Sequence, residues 1–450
     1  MILFIIFMAS QWYLLGKEID HRLKIYFRVN SSMDRLIYRC LLGNITLLIL
    51  FNLMSLIPPH LTKHFFWGTW VILGLFYSWP TRGKIIEETV SSHFSEFNFL
   101  DSFERTILGM SLLLFLVSIP ELPSFENLET LKLYFDPQEK IHTMFWNYLN
   151  FTYFPFLKFP KIFNLAWCLH FYVFGLGIYL MTFYAILRYF LSRRLCILGL
   201  FALLSSYSFS KILASDFSSS ITTSFTVLWV WAILWTSKSS TYRIGLFIGL
   251  LSFWGMIINP NFIFLLPIQF LIILIISLEG KTYWFKRQFI KYTLLGAALC
   301  SLLAVYSWDD WPKLSPATFH SIFQEIVNLL SRKAFFNLST IGLLAVLYYF
   351  IFEKKKQFLQ VRLDHEKMKE ISISFLILLL MGIFIESSLF RAFGLLWITC
   401  FLSLIPLEFI FQSISRLRSK RNMIYAIYIL ICLLDSHFEV RLKIFGKLFT

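Results

Sequence analysis

Charge is what this sequence has least of. Only 15% of its 450 residues are Asp, Glu, Lys or Arg, while 58% are hydrophobic and 19% aromatic. A soluble domain carries about a quarter charged residues, because it must present a polar surface to water. So little charge excludes an ordinary water-soluble fold. Organised cysteine is missing too. Cys40, Cys168, Cys196, Cys300, Cys400 and Cys432 are scattered, with no CxxC pair and no metal-ligand spacing. That excludes a disulfide scaffold and a zinc site and fits small core residues. The sequence has no GxxxxGK[ST] phosphate loop, no GxGxxG after a strand, no HExxH and no GxSxG, so an ATP-driven pump and a typical protease drop out. No Gly/Ser linker, long charge block, low-complexity tract or internal repeat divides the chain. It reads as a single integral membrane domain over residues 1–450.

What is present is a series of apolar runs separated by short basic clusters. In order they are Ile2–Leu15, Ile37–Ile57, Phe65–Trp79, Thr106–Ile119, Leu165–Leu187, Leu195–Leu213 and Ile221–Trp235. Then come Ile244–Ile258, Asn261–Leu278, Tyr292–Trp308, Phe335–Phe352, Ile371–Glu386, Arg391–Phe411 and Met423–Leu434. A helix needs about 20 residues to cross the hydrocarbon core, and several runs are shorter. The first could be a signal-peptide core, but Gly16-Lys17-Glu18 follows it instead of a small-residue cleavage site, so it reads as an anchor or partial span. The pattern predicts an all-α fold, a polytopic transmembrane helix bundle of about 12–14 spans.

The basic residues test that reading. If successive runs alternate in direction, one set of linkers holds Lys17 to Arg39, Arg82 to Arg105, Arg188 to Arg194, Lys238 to Arg243, Lys281 to Lys291, Lys354 to Lys369 and Arg416 to Arg421. That set contains 28 of the 41 Lys and Arg residues, leaving 13 for the other, although the other includes the longest loops. Positive residues stay in the cytoplasm, so the first set faces inward, in the inner (plasma) membrane. The net charge of +15 therefore sits where it meets anionic headgroups, and nucleic acid is not an expected partner.

Two longer loops fall on the outward side. Glu121 to Lys161 is long enough for one or two amphipathic helices lying along the membrane surface; Asp309 to Arg332 is the second. Ionisable groups gather in and beside these loops. Asp136, Glu139 and His142 lie in FDPQEKIH, where a helix from Glu139 onward would put Glu139 and His142 on one face at i, i+3. Asp136 before Pro137 is either a helix N-cap or a general base at the membrane surface. Asp216, in KILASDFSSS, is a turn residue on the plainest reading. Asp309 and Asp310 are either a solvated pair or ligands for a divalent cation; no other cofactor or metal is called for. Arg391 opens a long apolar run from the outside, either snorkelling to the interface or clamping a phosphate at headgroup depth.

Four stretches resemble the GT-C superfamily of membrane glycosyltransferases, the group related to protein mannosyltransferases. The first is the run ending at Pro120 and the loop bearing Asp136 and His142, similar to the family's aspartate-bearing first outer loop. The second is ALLSSYSFSKILASDFSSSITTSFTVLWVWAILW, similar to its apolar run, outer Asp and second apolar run. The third is IGLFIGLLSFWGMIINPNFIFLLP, similar to its glycine-bearing helix, polar kink and re-entering helix; the fourth is SLFRAFGLLW, similar to its outer Arg-aromatic pair. The likeness covers roughly residues 106 to 411 and identifies a divergent member. It implies transfer of a hexose from a polyprenyl-phosphate carrier to a glycan, lipid or protein acceptor on the non-cytoplasmic face. Asp136 would act as base or acceptor-positioning group, assisted by Glu139 or His142. Arg391, with Lys211, would hold the donor phosphate, and Asp216 would contribute to substrate binding. The competing expectations are a transporter or flippase of lipid-linked glycans, a polysaccharide polymerase or ligase, and a catalytically inactive membrane scaffold. An outer cavity joining Asp136 to Arg391 favours the transferase; a central cavity open to alternate sides favours the transporter.

Overall fold

The computed structural model describes residues 2–23, 32–54, 61–78, 95–118, 177–206, 397–408 and 419–434, with short helical stretches at 227–228, 230–232, 245–251, 290–296, 298, 341–342 and 344. Every regular element among the described residues is helical. The order is α1 (Ile2–Leu23), α2 (Ser32–Met54), α3 (Thr62–Ser78), a 3-10 turn (Ser95–Phe99), α4 (Ser102–Ser118), α5 (Gly177–Phe190), α6 (Arg193–Ser205) and α7 (Arg421–Leu434). The chain divides into two compact units. Unit 1 is Met1–Asn98, Leu128–Met181 and Trp235–Lys313; unit 2 is Phe99–Asn127, Thr182–Leu234 and Leu314–Thr450.

The helices follow the apolar runs but begin earlier. The Ile37–Ile57 run becomes α2 from Ser32, and the Thr106–Ile119 run becomes α4 from Ser102. A helix needs partners for its first amide groups, and those polar caps precede the apolar residues. Among the described residues no helix is long and apolar enough to cross a membrane. The two longest, α1 and α2, carry Lys17, Glu18, Asp20 and Arg22 or Asp34, Arg35 and Arg39 at one end. The next longest have 17 residues, about 26 Å at 1.5 Å per residue.

In unit 1, α1 and α2 form an antiparallel pair closed by two glycines. A Cβ on Gly16 would overlap the Arg39 carbonyl, reaching 2.6 Å from its carbon; one on Gly43 would stand 2.7 Å from the Trp12 carbonyl carbon. Only a missing side chain at both positions lets the backbones approach so closely. The third helix joins through Trp70, whose ring meets Phe7 of α1 at 5.3 Å and Phe51 of α2 at 6.3 Å. At the far end of α3, Arg22 stacks on the Phe76 ring at 3.8 Å, with its Nη2 3.4 Å from the Phe76 carbonyl in the last turn of that helix.

In unit 2, α6 is the centre. Ten of its residues are buried, from Leu195 to Ser205. A helix apolar on every side belongs inside a bundle. It packs against α4 and α7. The helical stretch 397–408 meets α5 through Phe183 with Trp397 and Phe190 with Phe401. It meets α7 through a 2.7 Å hydrogen bond between Ser403 Oγ and Tyr428 Oη, which satisfies both buried hydroxyls. Only Leu191 and Ser192 separate α5 from α6, and the extended backbone of Ser192 breaks the helix there.

Candidate functional site

Charge in unit 2 is gathered at one end of its helices. The described residues of that unit contain nine charges: Asp101, Glu104 and Arg105 around the start of α4, Arg188, Arg193 and Arg194 around the α5–α6 turn, Glu408 at the end of 397–408, and Lys420 and Arg421 at the start of α7. Contacts join these ends. Asp101 and Glu104 form a reciprocal capping box, with the Glu104 N–H donating to Asp101 Oδ1 at 2.7 Å and the Asp101 N–H to Glu104 Oε2 at 3.0 Å. Arg193 grips the same Glu104 through both carboxylate oxygens, at 3.1 and 2.8 Å, and donates to the Phe99 carbonyl at 2.9 Å. Arg194 pairs with Asp101. Ser192 Oγ lies 3.4 Å from Glu408 Oε2, and Phe103 stacks on Tyr425 of α7 at 5.6 Å.

This cluster is an anchor rather than a proton-transfer site. Burial raises the Asp101 carboxyl, but the Glu104 backbone N–H, Arg194 and Arg193 outweigh it and hold it below the ordinary carboxylate range. It stays ionised at neutral pH and engaged by Arg194, as suits an ion pair that ties the helix ends together. Arg193 is held more firmly protonated, first by its hydrogen bond to Glu104.

Unit 1 has a second polar cluster, deeper than the first. Arg39 Nε donates to Asp20 Oδ2 at 2.9 Å, and both side chains are fully buried. The same guanidinium lies 3.4 Å from the Tyr13 hydroxyl and 3.5 Å from His21 Nε2. An arginine and a carboxylate removed from water must neutralise each other, and these do so across the α1–α2 seam, one turn from the glycine crossing. The pair fixes the register of the two helices.

Neither cluster emerges from the candidate residues of the sequence. Asp136, Glu139, His142, Lys211, Asp216 and Arg391 all lie outside the described residues, as do Asp309, Asp310 and the 121–161 loop. The Asp101–Glu104 pair carried a readable signal, Asp-x-x-Glu immediately before an apolar run. Arg39 inside the Ile37–Ile57 run was a second, since an ionisable residue within an apolar helix needs a named partner. Among the described residues no three His, Cys, Asp or Glu side chains cluster to hold a metal ion.

Comparison with protein-family models, curated proteins and solved structures gives no match to this chain.

Proposed function

We propose that the chain is a multi-pass membrane glycosyltransferase that moves a hexose from a polyprenyl-phosphate carrier to an acceptor on the non-cytoplasmic face. One observation supports the membrane half of this reading. All nine charges among the described residues of unit 2 lie at one end of the helices, and beyond them α4 and α7 turn bare aliphatic side chains outward. Leu112 and Leu113 are more than half exposed, as are Met423 and Leu430. In unit 1, α3 does the same with Val71, Ile72 and Leu75. A contiguous apolar face of this kind gains nothing from water and is at home against lipid tails. The length a span requires is supplied by runs of the sequence such as Leu165–Leu187 and Arg391–Phe411. The unit 2 cluster gathers Arg105, Arg188, Arg193, Arg194, Lys420 and Arg421, drawn from three linkers of the basic set, and the positive-inside rule makes that end cytoplasmic.

The transferase half is supported by the four sequence stretches that resemble GT-C enzymes. In this reading Asp136 removes a proton from an acceptor hydroxyl as its oxygen attacks the anomeric carbon. The bond from that carbon to the carrier phosphate breaks, and the phosphate leaves with the electron pair, its charge met by Arg391 and Lys211. Glu139 or His142 assists Asp136, and Asp216 lines the substrate side. The test uses the full chain in phosphatidylcholine vesicles, with polyprenyl-phosphate mannose and polyprenyl-phosphate glucose as probes and a cell-envelope extract as acceptor. Release of free polyprenyl phosphate with labelled acceptor is the expected result. Passage of the labelled carrier across the bilayer with its sugar still attached would favour a flippase instead.

A further inference from the structure

We propose that His21 is a pH-sensitive latch on the buried Asp20–Arg39 pair: the neutral imidazole helps to close the α1–α2 seam, and its protonation loosens it. Arg39 directs each of its three nitrogens at a different partner. Nε meets Asp20 Oδ2 at 2.9 Å, Nη1 the Tyr13 hydroxyl at 3.4 Å and Nη2 the His21 Nε2 at 3.5 Å. A guanidinium has only donors and stays charged throughout the working pH range of a protein. His21 Nε2 is therefore the acceptor, and the neutral ring carries its proton on Nδ1. A second proton has to go onto Nε2, the atom that faces Arg39. The hydrogen bond is then lost, and two cations stand 3.5 Å apart beside a buried ion pair. Asp20 and Arg39 are fully buried, whereas His21 is half-buried, so the imidazole is where protons from water reach this cluster.

Other ionisable groups share this end of the pair. On α1, Lys17 and Glu18 lie one turn before His21, and Arg22 follows it. On α2, the register set by Gly16 against Arg39 and Gly43 against Trp12 puts Asp34 level with His21 and Arg35 level with Asp20, with Tyr38 beside Arg39. The third helix reaches this end through Phe76, an uncharged ring stacked on Arg22. Two of these groups bear on the sign. Burial raises the Glu18 carboxyl against the pull of Arg22 and Lys17, so folding favours its proton. Its titration therefore strengthens the seam on acidification and does not imitate a loss. Asp34 is the rival partner: an imidazolium taken up by Asp34 would tighten the seam, and the measurement separates the two by direction. Because Arg39 disfavours the second proton on His21, the seam is strongest above about pH 6.5, where an unfolded histidine titrates, and weakens as pH falls.

Hydrogen exchange reads the latch in the full chain, held in mixed micelles at about pH 7.5 and about pH 5.5 and followed by mass spectrometry of the α1 and α2 segments. Rates are corrected for the intrinsic pH dependence of amide exchange, which leaves the opening equilibrium of the seam. The opening constant should rise on acidification, by up to about ten-fold for the one pH unit below the ordinary histidine value. His21→Gln supplies an amide oxygen that accepts from Arg39 and cannot titrate, and it should abolish the rise. Asp20→Asn with Arg39→Met keeps His21 but removes the charge it would repel. That variant should also abolish the rise, and it serves if the glutamine variant fails to fold. An opening constant equal at the two pH values in the unsubstituted chain overturns the latch. So does a rise that persists in either variant. A fall on acidification overturns it too and assigns the imidazolium to Asp34.

Discussion

Replacing Gly16 by alanine adds one methyl group at the closest approach in unit 1. The new Cβ would overlap the Arg39 carbonyl, 2.6 Å from its carbon and 3.0 Å from the Arg39 Cα. Carbon atoms settle at about 3.5–4.0 Å, so the two backbones must part by about 1 Å. Everything in the way is backbone, and no side-chain rotation relieves it. Overpacking of this kind costs about 1–3 kcal/mol. Parting the helices also stretches the 2.9 Å Asp20–Arg39 bond towards a length at which a hydrogen bond is lost. Against this stands the better helix propensity of alanine, about 1 kcal/mol. These two magnitudes net to a loss of about 1 kcal/mol, and weakening of the Asp20–Arg39 bond adds to it. Gly109→Ala is the control, since its Cβ enters open space and the propensity term acts alone, giving a gain of up to about 1 kcal/mol. The assay is denaturant titration of the full chain in mixed micelles, followed by far-ultraviolet circular dichroism. A Gly16→Ala protein as stable as the unsubstituted chain, or stabilised like Gly109→Ala, would refute the close crossing of α1 and α2.

Arg39→Ala should cost more, about 3–5 kcal/mol in the same titration, because it leaves Asp20 buried without its counter-charge; Asp20→Asn with Arg39→Met, which removes both charges, should recover much of that loss. Asp101 has a pKa lowered in the folded state, so its contribution is present above the ordinary carboxyl range and disappears as pH falls through the folded value. The stability difference between the unsubstituted protein and Asp101→Asn should therefore be largest near pH 7 and shrink below about pH 4. A difference that grew on acidification would contradict the ion pair with Arg194. A cysteine introduced at Ser124 should react with a membrane-impermeant thiol reagent in intact cells, and labelling only after the inner membrane is broken would reverse the orientation read from the 28-to-13 split of basic residues.

Helix positions were largely legible because apolar runs are a strong signal. Phe65–Trp79 appears as Thr62–Ser78, and Met423–Leu434 as Arg421–Leu434. Helix ends were less legible, for a physical reason. The first run stops at Leu15 because Lys17, Glu18 and Asp20 follow, yet α1 continues to Leu23. Charges end an apolar run only if water takes them, and here Asp20 is taken by Arg39, nineteen residues away on another helix. No periodicity within α1 announces that partner. The break between α5 and α6 was readable, since Arg188, Arg193 and Arg194 mark a basic linker and the break falls between them at Leu191 and Ser192. That Arg193 would find Glu104 of α4 was not readable, because it depends on how α6 packs against α4. Within α4 the Asp101–Glu104 box was legible as a local pattern. The candidate catalytic set from Asp136 to Arg391 draws its roles from local stretches and resemblance. Its convergence depends on long-range packing, which a single sequence does not encode in any short pattern.

The most direct test of the transferase reading is Asp136→Asn in the reconstituted carrier assay, on protein verified by circular dichroism to be folded in the membrane. An amide keeps the shape and part of the hydrogen bonding of the carboxylate but cannot take a proton from the acceptor. Transfer from the polyprenyl-phosphate hexose should fall by about two to four orders of magnitude, the usual contribution of a positioned general base. Asparagine caps a helix about as well as aspartate, so a purely capping Asp136 would leave the rate unchanged. A substituted protein that transfers sugar at the rate of the unsubstituted chain would contradict the assignment.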